Sequence, residues 1–420
     1  MPVTSQVEPG YLRKLLPASA PTVGEDFQLI ADDYLKYILP GLTHWQHPSF
    51  FAYYPVSCTF ESILGEIYAS SMSSPGFNWS VSPACTELEA VIMDWSAQIL
   101  GLDKSFYNTT EVGGGVIQAT ACDAALVATV AARSRYIQVA LKEDVDAGLH
   151  PFILIATLGT TSSGAVDRLD EIGDVVKSHP FLWLHVDAAW AGVALVCPEY
   201  REACQLPAIN SYADSFCTNF HKWGLIQFDA SCFWVRQRKH LTDALDVTPE
   251  FLRSKCGDAS TVIDYRNWNI SLSRRFRSLK FWFVLRARGM EGFQKHITNC
   301  IKLNARFAQG IRESDQFSFV AKPFLALTVF RLAPQSLSHL TTSELNGLNR
   351  AFYARLAARS DIAMTQTELN GVFCVRMSIG AERTVEGDID KALVVIAEEG
   401  RVALQEWEDM QTQVGLYCVP

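Results

Sequence analysis

Lys222 sits in the run Asn219-Phe220-His221-Lys222-Trp223, an amine between an imidazole and an indole, and the apolar residues Leu225, Ile226 and Phe228 follow it. Burial penalises the ammonium form, so a lysine in such surroundings gives up its proton more easily than one in water. An amine of that kind can form a Schiff base with an aldehyde. Thirty-five residues upstream, Asp187 closes the strand-like run Phe181-Leu182-Trp183-Leu184-His185-Val186. A carboxylate there could hold a proton on a bound heteroaromatic ring. Taken singly, Lys222 could be a surface lysine or the partner of a buried acid, Asp187 a helix cap, and His221 a satisfied core histidine. Together they point to pyridoxal phosphate chemistry. That chemistry needs an imine-forming lysine, an acid for the pyridine nitrogen, donors for a phosphate and a group stacked on the ring.

Phosphate donors have a candidate in Gly113-Gly114-Gly115-Val116-Ile117-Gln118, which leads through Ala119-Thr120-Ala121-Cys122-Asp123 into an Ala-rich helix ending near Arg135. Glycines let a backbone approach a ligand, and the first N–H groups of a helix can bind an anion. The run lacks both the dinucleotide spacing and the P-loop lysine, and a tight turn packed against a sheet is the other reading.

Elements able to position these groups are visible on either side. Helical spacing of Leu88, Val91, Ile92, Trp95 and Ile99 predicts a helix over Cys85 to Leu100. Strand-like runs at Phe152 to Leu158, Phe181 to Val186 and Ser231 to Val235, with a helix at Val166 to Val176 between them, predict a largely parallel sheet covered by helices. Ligands in such sheets lie beyond the carboxyl ends of the strands, where Thr161 and Asp187 fall. Residues 1–60 read as an N-terminal segment with a helix over Phe27 to Ile38 and an aromatic stretch from Trp45 to Tyr54. Residues 61–300 read as the large domain, with a long helix from Arg274, and residues 301–420 as a small α+β domain.

Composition narrows the classes. At 49% hydrophobic and 19% charged over 420 residues, the chain can bury a large core, which excludes disorder. A net charge of -9 with mixed signs offers nothing to a phosphate backbone. Eleven cysteines scattered singly read as reduced thiols in a reducing, cytoplasmic setting. The first residues have no leader-like pattern, and no apolar run is long enough to cross a membrane. His44 and His47 have no metal-like company, so no metal is expected, and His185 reads as a strand residue.

The chain resembles the group II, aromatic L-amino acid decarboxylase family of pyridoxal-phosphate enzymes. The likeness rests on THWQHPSFFAYYP from Thr43, SPACTELE from Ser82, GGGVIQ, HVDAAWAG from His185, NFHKW, and DYRNW from Asp264 leading into RRFRSLK. It implies a fold-type I homodimer with active sites at the subunit interface. It also implies that Lys222 carries the cofactor, Asp187 pairs with the pyridine nitrogen and Ala189 packs beneath the ring. Thr161, Asn219 and His221 then lie beside the cofactor, Ala121 and Cys122 form the phosphate turn, and Trp45, Tyr53, Tyr54, Phe77 and Trp79 form an aromatic substrate wall. Phe77 and the loop after Val247 would serve the neighbouring subunit.

Two departures from that family bear on activity. Decarboxylases carry a tyrosine on the catalytic loop where this chain has Phe251, in Thr248-Pro249-Glu250-Phe251-Leu252. Phenylalanine has no proton to give to the carbanion, which implies an aromatic acetaldehyde synthase in which decarboxylation is coupled to oxidative deamination. In addition, on the order of 55 residues are missing near 139–140, more than one strand-helix-strand unit. The histidine that stacks on the ring would lie in that stretch, and the chain has no histidine between His47 and His150. The loss implies a new strand edge, an uncovered helix face and weaker cofactor retention. The leading expectation is therefore an aromatic aldehyde synthase. Simple decarboxylation to the amine, or an inactive shortened isoform serving as a dimerisation partner, are the alternatives.

Overall fold

The computed structural model describes residues 2–140, 151–246 and 262–417. The chain divides into one unit of Val56–Ile301 and a second made of Met1–Pro55 together with Lys302–Pro420.

The first unit is built on five strands: β1 (Gly114–Gln118), β2 (Ile153–Thr157), β3 (Trp183–Asp187), β4 (Ser215–Asn219) and β5 (Ser231–Val235), in the order β1-β5-β4-β3-β2. β2, β3 and β4 pair in parallel, while β5 runs against both of its neighbours, so four of the five strands point one way. The glycine run is itself strand β1, which corrects the expectation of a turn reaching for a ligand. A Cβ on Gly115 would stand 2.5 Å from Met93 Cε and 2.6 Å from Trp234 Cδ1, so glycine is there for close packing.

The Ala-rich helix, Ala121–Ala140, lies against β3, β4 and β5 through Ala124, Ala128, Ala131 and Ala132, which meet Trp183, Cys217, Phe233 and Val235. Small residues bring its axis close to the sheet, and about 25 cal/mol for each Å² of apolar surface removed from water favours that contact. On the other side of β1, Glu89 of the helix Pro83–Leu100 is fully buried with Arg274. Its carboxylate accepts from Arg274 Nη1 at 2.9 Å and from the backbone N–H of Ile117 at 2.9 Å. Arg274 Nη2 also donates to the carbonyl of Ile117 at 3.1 Å. One ion pair thus ties a helix, a strand and the segment entering the helix Ser278–Glu313, which breaks at Gly289 (φ 59, ψ 177).

β1 and β2 are the outer strands of this sheet among the described residues, and Ile155 on β2 is 47% exposed.

The second unit holds an antiparallel sheet, β6 (Phe317–Phe324), β7 (Leu327–Leu332), β8 (Thr365–Leu369) and β9 (Val372–Ser378), in the order β6-β7-β9-β8. The helix Thr342–Ala357 starts at a capping box in which Thr341 and Glu344 exchange hydrogen bonds, and it buries Leu345, Leu348, Phe352 and Leu356. Phe50 bridges to Ala363 and joins Val3 and Ala52 in a small cluster, which ties the N-terminal segment into this unit.

Removing one member of the Glu89–Arg274 pair leaves an uncompensated buried charge. Arg274→Ala is expected to cost about 3–5 kcal/mol in urea denaturation. Replacing both partners together, as Glu89→Leu with Arg274→Met, should recover a large part of that loss.

Candidate active site

The residues that could do chemistry in the first unit gather along one edge of the sheet. Asp187 is the last residue of β3, and β4 runs directly into the short helix Phe220–Trp223 that carries His221 and Lys222. The parallel register sets Asp187 opposite Cys217, and the backbone N–H of Asn219 donates to the carbonyl of Ala189 at 2.9 Å. Thr161 follows the carboxyl end of β2, where the N–H of Leu158 donates to the carbonyl of Asp187 at 2.9 Å. Ala121 and Cys122 open the helix after β1, with Ala121 buried and Cys122 exposed. Thr120 and Asp123 cap that helix through each other: Asp123 Oδ2 accepts from the Thr120 N–H at 3.0 Å, and Thr120 Oγ1 accepts from the Asp123 N–H at 3.2 Å.

Lys222 stands on a firmly anchored turn. Ser57 holds it from outside, its N–H donating to the His221 carbonyl at 3.0 Å and its hydroxyl to the Lys222 carbonyl at 3.4 Å. Thr59 Oγ1 donates to the Leu225 carbonyl at 3.0 Å, and Trp223 stacks on Trp190 at 5.5 Å between ring centroids. Sequence reading missed this strap, because nothing local marks Ser57 and Thr59 as partners of a turn 165 residues away.

His221 is buried, and its Nδ1 accepts the N–H of Ala230 at 2.9 Å. Burial, helped by the charge of Lys222, pushes its pKa down to about 4. The ring is therefore neutral with its proton on Nε2, which makes it a hydrogen-bond donor. Asp229 is buried nearby and bonded to Arg277 at 2.7 Å. Burial alone would raise the pKa of Asp229, but the hydrogen bonds and charge of Arg277 outweigh it, so the carboxyl titrates below its ordinary range.

Asp187 Oδ1 accepts the N–H of Ala189 at 2.9 Å and faces Cys217 Sγ at 3.7 Å, while its Oδ2 has no hydrogen bond among the described residues. Ala189 is small and half-buried beside it. A carboxylate with Oδ2 unbonded among the described residues, an amine on the turn that follows the neighbouring strand and a helix N-terminus on the same edge fit a flat, phosphorylated, aldehyde-bearing ring.

The remaining site residues are placed as follows. Phe77 and Trp79 are half-buried, and Trp79 Nε1 donates to Glu87 at 2.8 Å. Trp45, Tyr53 and Tyr54 belong to the second unit, where Trp45 stacks on Tyr53 at 5.5 Å. Tyr54 is buried with the Arg376 guanidinium 5.1 Å from its ring centre, and burial raises its pKa to about 12. Phe251 lies outside the described residues.

Known proteins resemble this chain over nearly its whole length. The model of the pyridoxal-dependent decarboxylase conserved domain matches residues 9–140 and 136–333. The chain belongs to the pyridoxal-dependent decarboxylase family. It is similar to phenylacetaldehyde synthase of Arabidopsis thaliana, 39% identical with 96% of this chain and 92% of that protein covered. It is also similar to tryptophan decarboxylase 2 of Oryza sativa subsp. japonica, 37% identical with 96% and 90% covered. Among solved structures, Oryza sativa TDC with PLP and tryptamine superposes with a TM-score of 0.88 at 31% identity, covering 96% of this chain and 93% of that one.

Membership in the family makes this a pyridoxal-phosphate-dependent enzyme of the carboxy-lyase type. Its fold is fold-type I, with a large mixed α/β domain and a smaller C-terminal α+β domain. The alignment with the synthase spans 460 positions but draws on about 403 residues of this chain, so roughly 57 positions have no residue here. The two matched stretches of the family model meet at 136–140.

Three buried imidazoles make stability depend on pH. Burial lowers His185, His221 and His296 each to about 4, against about 6.5 in the unfolded chain. Between those values the unfolded chain binds more protons, so stability is fully present above pH 6.5 and is lost as pH falls toward 4. Each histidine should contribute roughly 1.36 kcal/mol per pH unit in that window. Urea midpoints measured from pH 7.5 to 5 should fall steeply, and His296→Gln should reduce the slope by about one proton.

Proposed function

We propose that this protein decarboxylates aromatic L-amino acids, releasing carbon dioxide and leaving the corresponding amine. The observation that carries the reading is the meeting of Asp187, with its open oxygen, and the Lys222 turn at the ends of neighbouring parallel strands. The names of similar proteins, which include tryptophan and tyrosine decarboxylases, support aromatic substrates.

In this reading Lys222 is the amine that holds the cofactor, and Asp187 keeps a proton on its ring nitrogen. Ala189 leaves room for the ring, while Thr161, Asn219, His221 through Nε2–H, and the backbone N–H groups of Ala121 and Cys122 hold the ring substituents and phosphate. Bound pyridoxal phosphate supplies the sink for the electron pair released as the α-carboxylate leaves. Phe77 and Trp79 supply apolar surface that selects an aromatic side chain.

A second reading has one observation in its favour, which is Phe251. A phenyl ring cannot protonate the α-carbon. Dioxygen would then take up the same electron pair and leave as hydrogen peroxide, and water would release ammonia and supply the aldehyde oxygen, giving aromatic acetaldehyde and carbon dioxide in place of amine. Similarity to a phenylacetaldehyde synthase supports this outcome, and the greater number of decarboxylases among the similar proteins supports the amine.

A homodimer fits the exposed apolar surface of the helix Phe60–Met72, where Phe60 is 69% and Met72 71% exposed. It also fits a groove of about 550 Å³ lined by Ala84, Leu88, Val91, Phe276, Leu279 and Trp282. Free cysteines fit a reducing, cytoplasmic setting.

Titrating the apo-protein with pyridoxal phosphate should produce a visible absorbance band that borohydride removes and that Lys222→Ala does not form. No band in the wild type would favour the dimerisation-partner reading. Product analysis on phenylalanine, tyrosine, tryptophan and Dopa should show amine without peroxide; peroxide in step with carbon dioxide would select the aldehyde reading. Under that second reading Phe251→Tyr should shift products toward amine.

A further inference from the structure

The side of Asp187 that faces into the protein is built in detail. Cys217 stands opposite it in the β3–β4 register and is fully buried. Burial, followed by the negative charge of Asp187, raises the thiol pKa well above its ordinary value, so the group is an S–H with one proton to donate. Oδ1 of Asp187 lies 3.7 Å away, within reach of a thiol donor, and already accepts the Ala189 N–H at 2.9 Å.

Two residues further back along both strands, His185 stands opposite Ser215, its Nδ1 2.8 Å from Ser215 Oγ, which also accepts Trp183 Nε1–H at 2.8 Å. The imidazole is fully buried, and burial lowers its pKa to about 4. A neutral thiol and a neutral imidazole therefore back the carboxylate, and its charge is left for a partner on the open side. The backbone N–H fixes one contact to Oδ1; the thiol supplies the second, from the neighbouring strand. Two contacts on one oxygen set the rotation of the carboxylate, where one would leave it free to turn.

We infer that Cys217 is a positioning residue for the cofactor: its thiol proton occupies Oδ1 of Asp187 and turns Oδ2 toward the cofactor's ring nitrogen. This rests on the reading of Asp187 as the partner of that nitrogen.

The test compares wild type, Cys217→Ala, Cys217→Ser and Asp187→Asn. Pyridoxal phosphate affinity is measured on each apo-protein by quenching of intrinsic fluorescence, alongside urea denaturation of the apo-proteins and kcat and KM of the loaded ones. Cys217→Ala should weaken cofactor binding by about tenfold, as expected for loss of a hydrogen bond to a charged group. It should also lower kcat while leaving the substrate KM unchanged. Cys217→Ser should restore both, because a hydroxyl keeps the donor. Wild-type affinity in Cys217→Ala, or a Cys217→Ser protein as weak as Cys217→Ala, overturns the inference.

The two layers fail differently. If Asp187→Asn weakens binding while Cys217→Ala does not, only the role of Cys217 falls; if Asp187→Asn binds like wild type, the reading of Asp187 falls and takes this inference with it. Should Cys217→Ala not fold, Cys217→Val fills the site without a donor, and its affinity against that of Cys217→Ser decides.

Discussion

The parallel pairing of β3 with β4 is the constraint on which the rest of the site depends. Its register, His185 opposite Ser215 and Asp187 opposite Cys217, brings the acid to the sheet edge from which the Lys222 turn departs. A shift of one residue would send Asp187 to the other face of the sheet. Several contacts resist that shift. Trp183 and His185 both bond to Ser215 across the two strands, and Leu184 N–H donates to Asp214 at 2.9 Å at the strand entrance. Arg135 pairs with Asp214 at 2.8 Å and lies over the Trp183 ring, which ties the Ala-rich helix to the same two strands.

Around this register, buried charge is handled by two different means. Imidazoles are kept neutral by burial, as at His185, His221 and His296. Carboxylates and guanidinium groups are instead held against each other in pairs, as Glu89 with Arg274 and Asp229 with Arg277. Lys280, buried against Glu66 at 3.1 Å, is intermediate: burial lowers its pKa to about 8 despite the nearby Asp229. Cations paired in this way are engaged away from Asp187, and neutral imidazoles add no positive charge behind it. The chemistry of the edge therefore follows from how neighbouring groups were desolvated, as much as from Asp187 and Lys222 themselves.

The β2 edge of the sheet puts a cost on the same architecture. β2 is one of the two outer strands among the described residues and leaves Ile155 half in water, whereas β3, β4 and β5 are almost wholly buried. An edge rich in apolar residues and free of charge is open to further strand pairing. Thr157 resists this locally, since its N–H donates to Asp167 at 2.7 Å and its carbonyl accepts the Asp167 N–H at 3.0 Å. β3, which ends in Asp187, and β4, which leads into the Lys222 turn, both have partners on either side, so these two groups are held away from the exposed edge.

From the sequence alone, the elements with strong local signals were legible: β5 at Ser231–Val235, the end of β3 at Asp187, the helix beginning near Cys85, and the NFHKW run around Lys222. Periodicity and apolar runs report on burial that the chain carries in its own residue types, so these needed no partner to be seen. β1, β4 and β8 were not recognised, because glycine in one and polar residues in the others hide a strand whose stability comes from its neighbours. The family and the cofactor followed from motifs. Only the tertiary structure decided that Cys217 faces Asp187, that Ser57 holds the Lys222 turn, and that His221 is neutral with its proton on Nε2. Those facts depend on the register and burial of segments far apart in the chain, and register is a property of two strands together that neither sequence carries by itself.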